Sequence, residues 1–268
     1  MTSRIPDIFI DKQNSNKKVF ISYLVCGDPS KKHTLLAMHT MAKSGVDIIE
    51  LGIPFTDPIA DGPIIQKSID RALKNNTSLK DVIDVVKEFR KNNNSTGVVL
   101  MGYMNPVHKM GIIKFVKLIN SADIDGVLIV DSPPEESIDL NNQLKKYKKS
   151  HIYLASPTTT DTRMKSITSM SSGYIYYVTV KGITGSKISD IGSIKNNVKK
   201  IKKYSKNNLP VAVGFGIKDS QSAKKMANFS DGIIIGSSIV ELINKYSNNK
   251  KIMIQKLSTY LNSISRSI

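Results

Sequence analysis

Short apolar segments alternate with longer amphipathic segments eight times along this chain of 268 residues. The apolar segments predict strands at residues 19–25, 47–51, 97–101, 126–130, 151–155, 174–180, 210–213 and 232–235. The intervening segments predict helices at residues 31–43, 64–75, 79–91, 112–120, 135–147, 162–170, 194–203, 220–227 and 238–246, with a tail helix to about residue 261. Eight strand–helix units in a chain of this size are typical of a (β/α)8 barrel.

An open doubly wound sheet also alternates strands with helices, so it is the competing architecture. Its usual G-x-G-x-x-G fingerprint at the first helix is absent, because the first strand runs into Cys-Gly-Asp-Pro at residues 26–29. No linker rich in Pro, Gly or Ser divides the pattern. We therefore predict an α/β protein with a (β/α)8 TIM barrel, formed as a single domain over residues 1–268 with extra helices.

The formal net charge of +17 raises the possibility of a nucleic-acid partner. Lysines recur in pairs along outer helix faces, but aromatic residues make up only 6% of the chain and no nucleic-acid-binding motif is present. A solvated lysine-rich surface accounts for this charge. We expect no nucleic-acid partner.

Residue types with special chemistry are sparse. The one cysteine, Cys26, cannot form an internal disulfide, and the four histidines are scattered without metal-ligand spacing. No apolar run approaches eighteen residues, and the first residues lack the pattern of a secretion signal. The sequence predicts a cytoplasmic protein with no metal and no membrane partner.

Two carboxylates follow the second predicted strand. Glu50 ends an apolar run, where burial would raise its pKa into a range suited to proton transfer, although a plain strand-end role is the alternative. Asp61 lies in the following loop before Gly62, so it is either a turn residue or the second member of a functional pair.

Glycines follow the sixth, seventh and eighth predicted strands. Those after the last two strands, Gly214, Gly216 and Gly236, leave bare backbone beside a helix start at Ser237, where such barrels commonly bind phosphate. Tight turns without a ligand are the alternative reading. Residues 182–187, with glycine at both ends of a short segment, have the composition of a mobile lid or of an ordinary loop.

Residues 50–66, Glu-Leu-Gly-Ile-Pro-Phe-Thr-Asp-Pro-Ile-Ala-Asp-Gly-Pro-Ile-Ile-Gln, resemble the signature of the tryptophan synthase alpha subunit family. Supporting matches are Gly-Asp-Pro at 27–29, Met-Gly-Tyr-Met-Asn-Pro at 101–106, Ser-Pro-Thr-Thr at 156–159, Gly-Ile-Thr-Gly at 182–185 and Gly-Phe-Gly-Ile at 214–217. The resemblance covers the whole chain. It implies the retro-aldol cleavage of indole-3-glycerol phosphate into indole and glyceraldehyde 3-phosphate, without a cofactor in this chain.

The resemblance also implies residue roles. Glu50 would act as acid and base at indole C3 and at the glycerol hydroxyl, Asp61 would bind the indole nitrogen, and Tyr176 would assist Glu50. The indole pocket would be lined by Tyr23, Leu100, Tyr103, Leu128, Leu154, Thr184 and Phe215. The phosphate would be bound by backbone at Gly185, Gly214, Gly216, Gly236 and Ser237.

A partner follows from the same resemblance. Family members pass indole to a beta subunit that carries pyridoxal phosphate, in an α2β2 heterotetramer for tryptophan biosynthesis, and the loop containing Asp57 would form part of the interface. Other readings are another phosphate-binding barrel lyase or isomerase, a free-standing lyase, and a non-catalytic activating subunit. The chain departs from the family pattern at Tyr23, where many members have Phe, and at Val130, where they have Pro or Ala.

Overall fold

The computed structural model describes residues 2–179, 191–205, 209–214 and 216–268. In these ranges, eight parallel strands form a closed barrel in chain order, with the last strand paired to the first. The strands are β1 Val19–Val25, β2 Ile48–Gly52, β3 Gly97–Gly102, β4 Gly126–Ile129, β5 Ser150–Ala155, β6 Ile175–Val178, β7 Val211–Gly214 and β8 Gly232–Ile235. The predicted (β/α)8 barrel is therefore confirmed, and the open doubly wound sheet is excluded.

Helices surround the barrel and connect its consecutive strands. They are α1 Ile5–Asn14, α2 Lys31–Lys43, α3 Pro63–Lys74, α4 Leu79–Arg90, α5 Met104–Met110, α6 Ile112–Ser121, α7 Ile138–Lys146, α8 Asp161–Met170, α9 Ile191–Tyr204, α10 Ser220–Ala227, α11 Ser237–Tyr246 and α12 Lys250–Ser265. Helix α7 begins three residues later than predicted. The reason is a turn that contains two prolines and is closed by a hydrogen bond from Glu136 N to Pro133 O at 3.0 Å.

The sequence pattern does not predict helices α1 and α5. Helix α1 buries only Ile5 and Phe9, and the seven-residue α5 buries only Val107. One or two buried apolar positions are too few to show the repeat of a helix in the sequence. Helix α1 nevertheless closes the N-terminal end of the barrel, because both of its buried residues pack with the inward-facing side chains of the strands.

Inward and outward side chains alternate along each strand and form two apolar clusters. The inward cluster contains Val19, Ile21, Ile48, Val99, Leu128, Ile152, Tyr174, Tyr176, Ala212 and Ile234, together with the two residues from α1. The outward cluster joins the strands to the helices and includes Phe20, Leu24, Ile49, Leu51, Val98 and Leu100. This two-residue period fixes which side chains can reach the barrel interior.

A buried ion cluster anchors the N-terminal segment to the barrel floor. The Asp125 carboxylate, which is fully buried, accepts hydrogen bonds from Arg4 Nη1 at 2.9 Å, Arg90 Nη2 at 2.7 Å and Val98 N at 2.8 Å. It also accepts one from the backbone N–H of Arg4 at 2.9 Å. One side chain therefore links the start of α1 with α4 and β3.

Replacing Asp125 with alanine should lower the free energy of unfolding by about 3 kcal/mol or more, because it leaves the buried Arg90 guanidinium without its charged partner. Urea denaturation followed by circular dichroism measures this change. The matched control is Asp84→Ala, which breaks an exposed ion pair with Lys87 at 3.4 Å and should change stability by less than about 1 kcal/mol. Equal effects of the two substitutions would contradict the anchoring role of Asp125.

Candidate active site

Glu50 occupies an inward position near the carboxyl end of β2. Ile48, two residues earlier, belongs to the inward cluster, whereas Ile49 and Leu51 pack outward against helices. The alternation of side chains along the strand therefore directs Glu50 into the barrel. The carboxyl ends of the strands are where barrels of this class build their active sites.

The carboxyl group of Glu50 is fully buried and has one hydrogen-bond donor. Tyr174 Oη donates to Glu50 Oε1 at 2.5 Å, and Oε2 has no hydrogen-bond partner among the described residues. Burial raises the pKa of Glu50 to about 7, and the hydrogen bond from Tyr174 acts in the opposite direction. Glu50 can therefore donate or accept a proton at neutral pH.

Asp61 lies in the loop between β2 and α3 and is held by the start of the segment after β3. Tyr103 Oη donates to Asp61 Oδ2 at 2.6 Å and accepts from Ala60 N at 3.1 Å. Gln66 Nε2 donates to the backbone carbonyl of Asp61 at 2.9 Å, and Phe55 packs on the Tyr103 ring with centroids 5.3 Å apart. Burial raises the pKa of Asp61, while the Tyr103 hydrogen bond lowers it.

The charges of the two carboxylates both affect the pKa values of Tyr23 and Tyr176. The pKa values of Tyr23 and Tyr176 are raised well above the ordinary value, first by burial and also by the negative charges of both Glu50 and Asp61. Asp61 is hydrogen-bonded to Tyr103, which directly follows β3, and β3 pairs with the strand that carries Glu50. The strand-end carboxylate and the loop carboxylate therefore lie at the same end of the barrel.

The hydrogen bond to Glu50 comes from Tyr174, a residue to which the sequence assigned no role. Tyr174 and Tyr176 share the inward face of the β6 segment, but Tyr176 lies beside Gly214 rather than in a hydrogen bond with Glu50. The predicted assistance of Glu50 by Tyr176 stays a prediction. The alternating tyrosines were the available signal, but their spacing cannot show which one reaches the carboxyl group.

Three of the five predicted pocket residues that the structure describes are shown by their packing to face the interior. Leu128 belongs to the inward cluster and Leu154 packs against it, while the Tyr23 ring faces Gly236 at the mouth. Leu100 does not: its side chain packs in the outward cluster, and Met101 supplies the inward side chain at this level of β3. The assignment of Leu100 to the pocket lining is corrected on this ground. Thr184 and Phe215 lie outside the described residues.

Glycines stand at the carboxyl ends of β7 and β8, where side chains of neighbouring strands approach the backbone closely. A Cβ on Gly214 would lie 2.5 Å from Tyr176 Oη, and Gly216 has a φ of +80°, so both positions require glycine. Gly236 is the N-cap of α11, which begins at Ser237 and has no side-chain cap. The first N–H groups of this helix have no acceptor within the helix and can bind an anion. Gly185, also predicted here, lies outside the described residues.

Asp57 occupies the exposed outer part of the Asp61 loop. Its carboxylate accepts a hydrogen bond from Thr56 Oγ1 at 2.6 Å, and its backbone carbonyl accepts from Ile59 N at 2.9 Å. Ile59 is 85% exposed. The loop thus turns Asp61 inward while it presents an acidic and an apolar side chain to the outside.

Two kinds of feature are absent from the part of the chain that the structure describes. None of its helices combines the length and hydropathy needed to cross a membrane. Likewise, no cluster of three or more His, Cys, Asp or Glu side chains in these ranges could hold a metal ion.

The same chain resembles known proteins along nearly its whole length. Residues 9–268 match the protein family described as "Tryptophan synthase alpha chain". A protein of that name from Vesicomyosocius okutanii is 42% identical over 98% of both chains, and one from Nitrosomonas europaea is 45% identical over 90% of this chain and 87% of its own. The crystal structure of tryptophan synthase subunit alpha from Legionella pneumophila superposes with a TM-score of 0.92 at 36% identity, and covers 100% of this chain and 99% of its own.

Replacing Glu50 with glutamine should stabilise the barrel more at pH 8 than at pH 5. Because the pKa of Glu50 is higher in the folded state, folding is favoured by this group below about pH 4.5, and that contribution is lost as pH rises to about 7. Glutamine does not ionise, so its advantage over glutamate should grow by on the order of 2 kcal/mol between the two pH values. Urea denaturation at both pH values measures the difference. For Glu241→Gln, at an exposed position, the difference in unfolding free energy from the unchanged chain should be the same at both pH values. A pH-independent effect of Glu50→Gln would contradict the raised pKa.

Proposed function

Because this chain belongs to the tryptophan synthase alpha chain family, whose members cleave indole-3-glycerol phosphate to indole and glyceraldehyde 3-phosphate, we propose that Glu50 and Asp61 carry out that cleavage here. The reaction breaks the bond between indole C3 and the adjacent carbon of the glycerol chain. It needs a proton at C3, removal of a proton from the neighbouring hydroxyl, and a partner for the indole N–H.

Glu50 supplies the first two proton transfers in this proposal. Its protonated form donates to indole C3, and the resulting carboxylate accepts the proton of the glycerol hydroxyl as the carbon–carbon bond breaks. Each turnover returns Glu50 to its protonated form. A pKa of about 7 supports both steps, because neither protonation state is then strongly disfavoured at neutral pH.

Asp61 and the helix start of α11 position the two ends of the substrate. The Asp61 carboxylate, oriented by Tyr103, accepts a hydrogen bond from the indole nitrogen and stabilises the positive charge that C3 protonation creates on the ring. The phosphate binds at the backbone amides near Gly236 and Ser237, and Gly214 and Gly216 keep their predicted phosphate contacts. Leu128, Leu154 and Tyr23 line the pocket for the ring, and Thr184, Phe215 and Gly185 keep their predicted roles.

One observation carries this proposal: the fully buried Glu50 carboxyl group has an oxygen without a described partner, and a second carboxylate, Asp61, is held at the same end of the barrel by Tyr103, which follows the neighbouring strand β3. Burial of a glutamate without an ionic partner costs the folded state free energy. Such a residue is therefore a candidate for a functional role. The non-catalytic subunit is disfavoured by this arrangement, because a subunit that only activates a partner needs neither carboxylate.

We further propose that the chain works as one barrel domain over residues 1–268 in the cytoplasm, with a pyridoxal-phosphate beta subunit as its partner in an α2β2 complex. Family membership supports the partner, and the exposed Asp57 and Ile59 supply a polar and an apolar contact on the loop that carries Asp61. Docking on that loop would order Asp61 and couple the two sites. The lone buried Cys26 is consistent with a reducing compartment.

Glu50→Gln should reduce the rate of indole release by about 100-fold or more, because glutamine can neither donate nor accept the transferred proton. Purified protein with indole-3-glycerol phosphate and an assay for indole gives the rate, and calorimetric titration with the same compound should show binding within a few-fold of the unchanged chain. Retention of turnover would remove Glu50 from its proposed role.

Asp61→Asn and Asp57→Asn form a matched pair within one loop. In the isolated chain, Asp61→Asn should lower kcat by about 10- to 100-fold, because an amide cannot stabilise the charged ring as a carboxylate does. Asp57→Asn should leave that rate unchanged and instead weaken the activation that an added beta subunit gives, measured as the beta-subunit concentration needed for half-maximal indole release. The reverse pattern, in which Asp57→Asn lowers kcat and Asp61→Asn does not, would contradict the two assigned roles. If an added beta subunit activated neither the unchanged chain nor the variants, a free-standing lyase would be favoured.

A further inference from the structure

Tyr23 spans the distance between the proposed phosphate site and the catalytic strand. It lies on β1, where its Cα pairs with that of Glu50 on β2. A Cβ placed on Gly236 would lie 3.3 Å from the Tyr23 ring, and a Cβ placed on Gly52 would lie 2.4 Å from its hydroxyl. The ring therefore borders the start of α11, and the hydroxyl lies against β2 one inward position beyond Glu50.

The Tyr23 hydroxyl has no hydrogen-bond partner among the residues that the structure describes, although the side chain is only 7% exposed. Tyr103 and Tyr174 differ in this respect, because Tyr103 donates to Asp61 and Tyr174 donates to Glu50. The hydroxyl of a largely buried tyrosine normally has a partner, either in the protein or in water. The unused donor lies against β2 at the next inward-facing position after Glu50.

The substrate chain must pass this hydroxyl. In the proposed function, the phosphate lies beside Gly236 and the bond that breaks lies beside Glu50, so the three-carbon chain between them runs along the Tyr23 side chain. That chain carries hydroxyl groups. The free Tyr23 hydroxyl could therefore donate to one of them.

We propose that the Tyr23 hydroxyl donates a hydrogen bond to a hydroxyl of the substrate's glycerol chain, and that it makes the site selective for hydroxylated over deoxygenated chains. This inference rests on the proposed function. The selectivity has two sources, since the hydroxylated chain gains a hydrogen bond, whereas a deoxygenated chain buries the Tyr23 hydroxyl without a partner.

Tyr23→Phe tests this role because it removes only the hydroxyl. The substrate is indole-3-glycerol phosphate, and the deoxygenated probe is 3-(indol-3-yl)propyl phosphate, used as a competitive inhibitor. We expect KM for the substrate to rise about fivefold and kcat to change less than twofold, while Ki for the probe stays the same or falls. The matched control is Tyr177→Phe, which removes a hydroxyl from an outward-facing tyrosine of the same barrel and should alter neither constant.

The two constants together decide the outcome. If KM and Ki rise by the same factor, Tyr23 contributes only packing and the inference is overturned; it is overturned equally if neither constant changes. Failure of the underlying function has a different result, because the unchanged chain would then release no indole and bind neither compound, and the inference would fall with it.

Discussion

The burial of one carboxyl group inside the barrel is the constraint around which the site is organised. The Glu50 side chain is buried away from water, on a strand whose neighbouring inward residues are apolar. Among the described residues, only Tyr174 donates a hydrogen bond to its carboxyl group. Water would keep the carboxyl group ionised at neutral pH, whereas the apolar surroundings raise its pKa to about 7. The same loss of solvation that gives Glu50 its acid–base capacity also makes it a cost to the folded state.

Support for this arrangement extends to the opposite end of the barrel. The Tyr174 ring packs against Phe9 of α1, with ring centroids 5.7 Å apart, and the start of α1 is fixed by the ion pair between Arg4 and Asp125. A continuous set of contacts thus runs from the barrel floor to the carboxyl group. Helix α1 packs against the inward cluster beneath Glu50 and so contributes to the apolar environment on which the pKa depends.

The two carboxylates are held in different ways, and this difference suits their proposed roles. Glu50 is on a strand, where the backbone is fixed by pairing on both sides. Asp61 is on a loop, and its position depends on side-chain hydrogen bonds from Tyr103 and Gln66. A proton-transfer group benefits from a rigid position, whereas a group that must admit the substrate and then contact its ring benefits from a loop that a partner can order.

The sequence alone determined the number and order of the strands, because apolar period and spacing are local properties, and it directed Glu50 inward through the same alternation that buries Ile48. It also located the glycines at 214 and 236, which the close approach of Tyr176 and Tyr23 requires. Only the tertiary structure decided which of two equally spaced tyrosines meets Glu50, since β2 and β6 lie across the barrel and the stagger of the closed sheet sets their relative height. Packing between segments far apart in the chain likewise decided the outward orientation of Leu100 and the role of α1 as the barrel floor. A local sequence pattern does not contain that information.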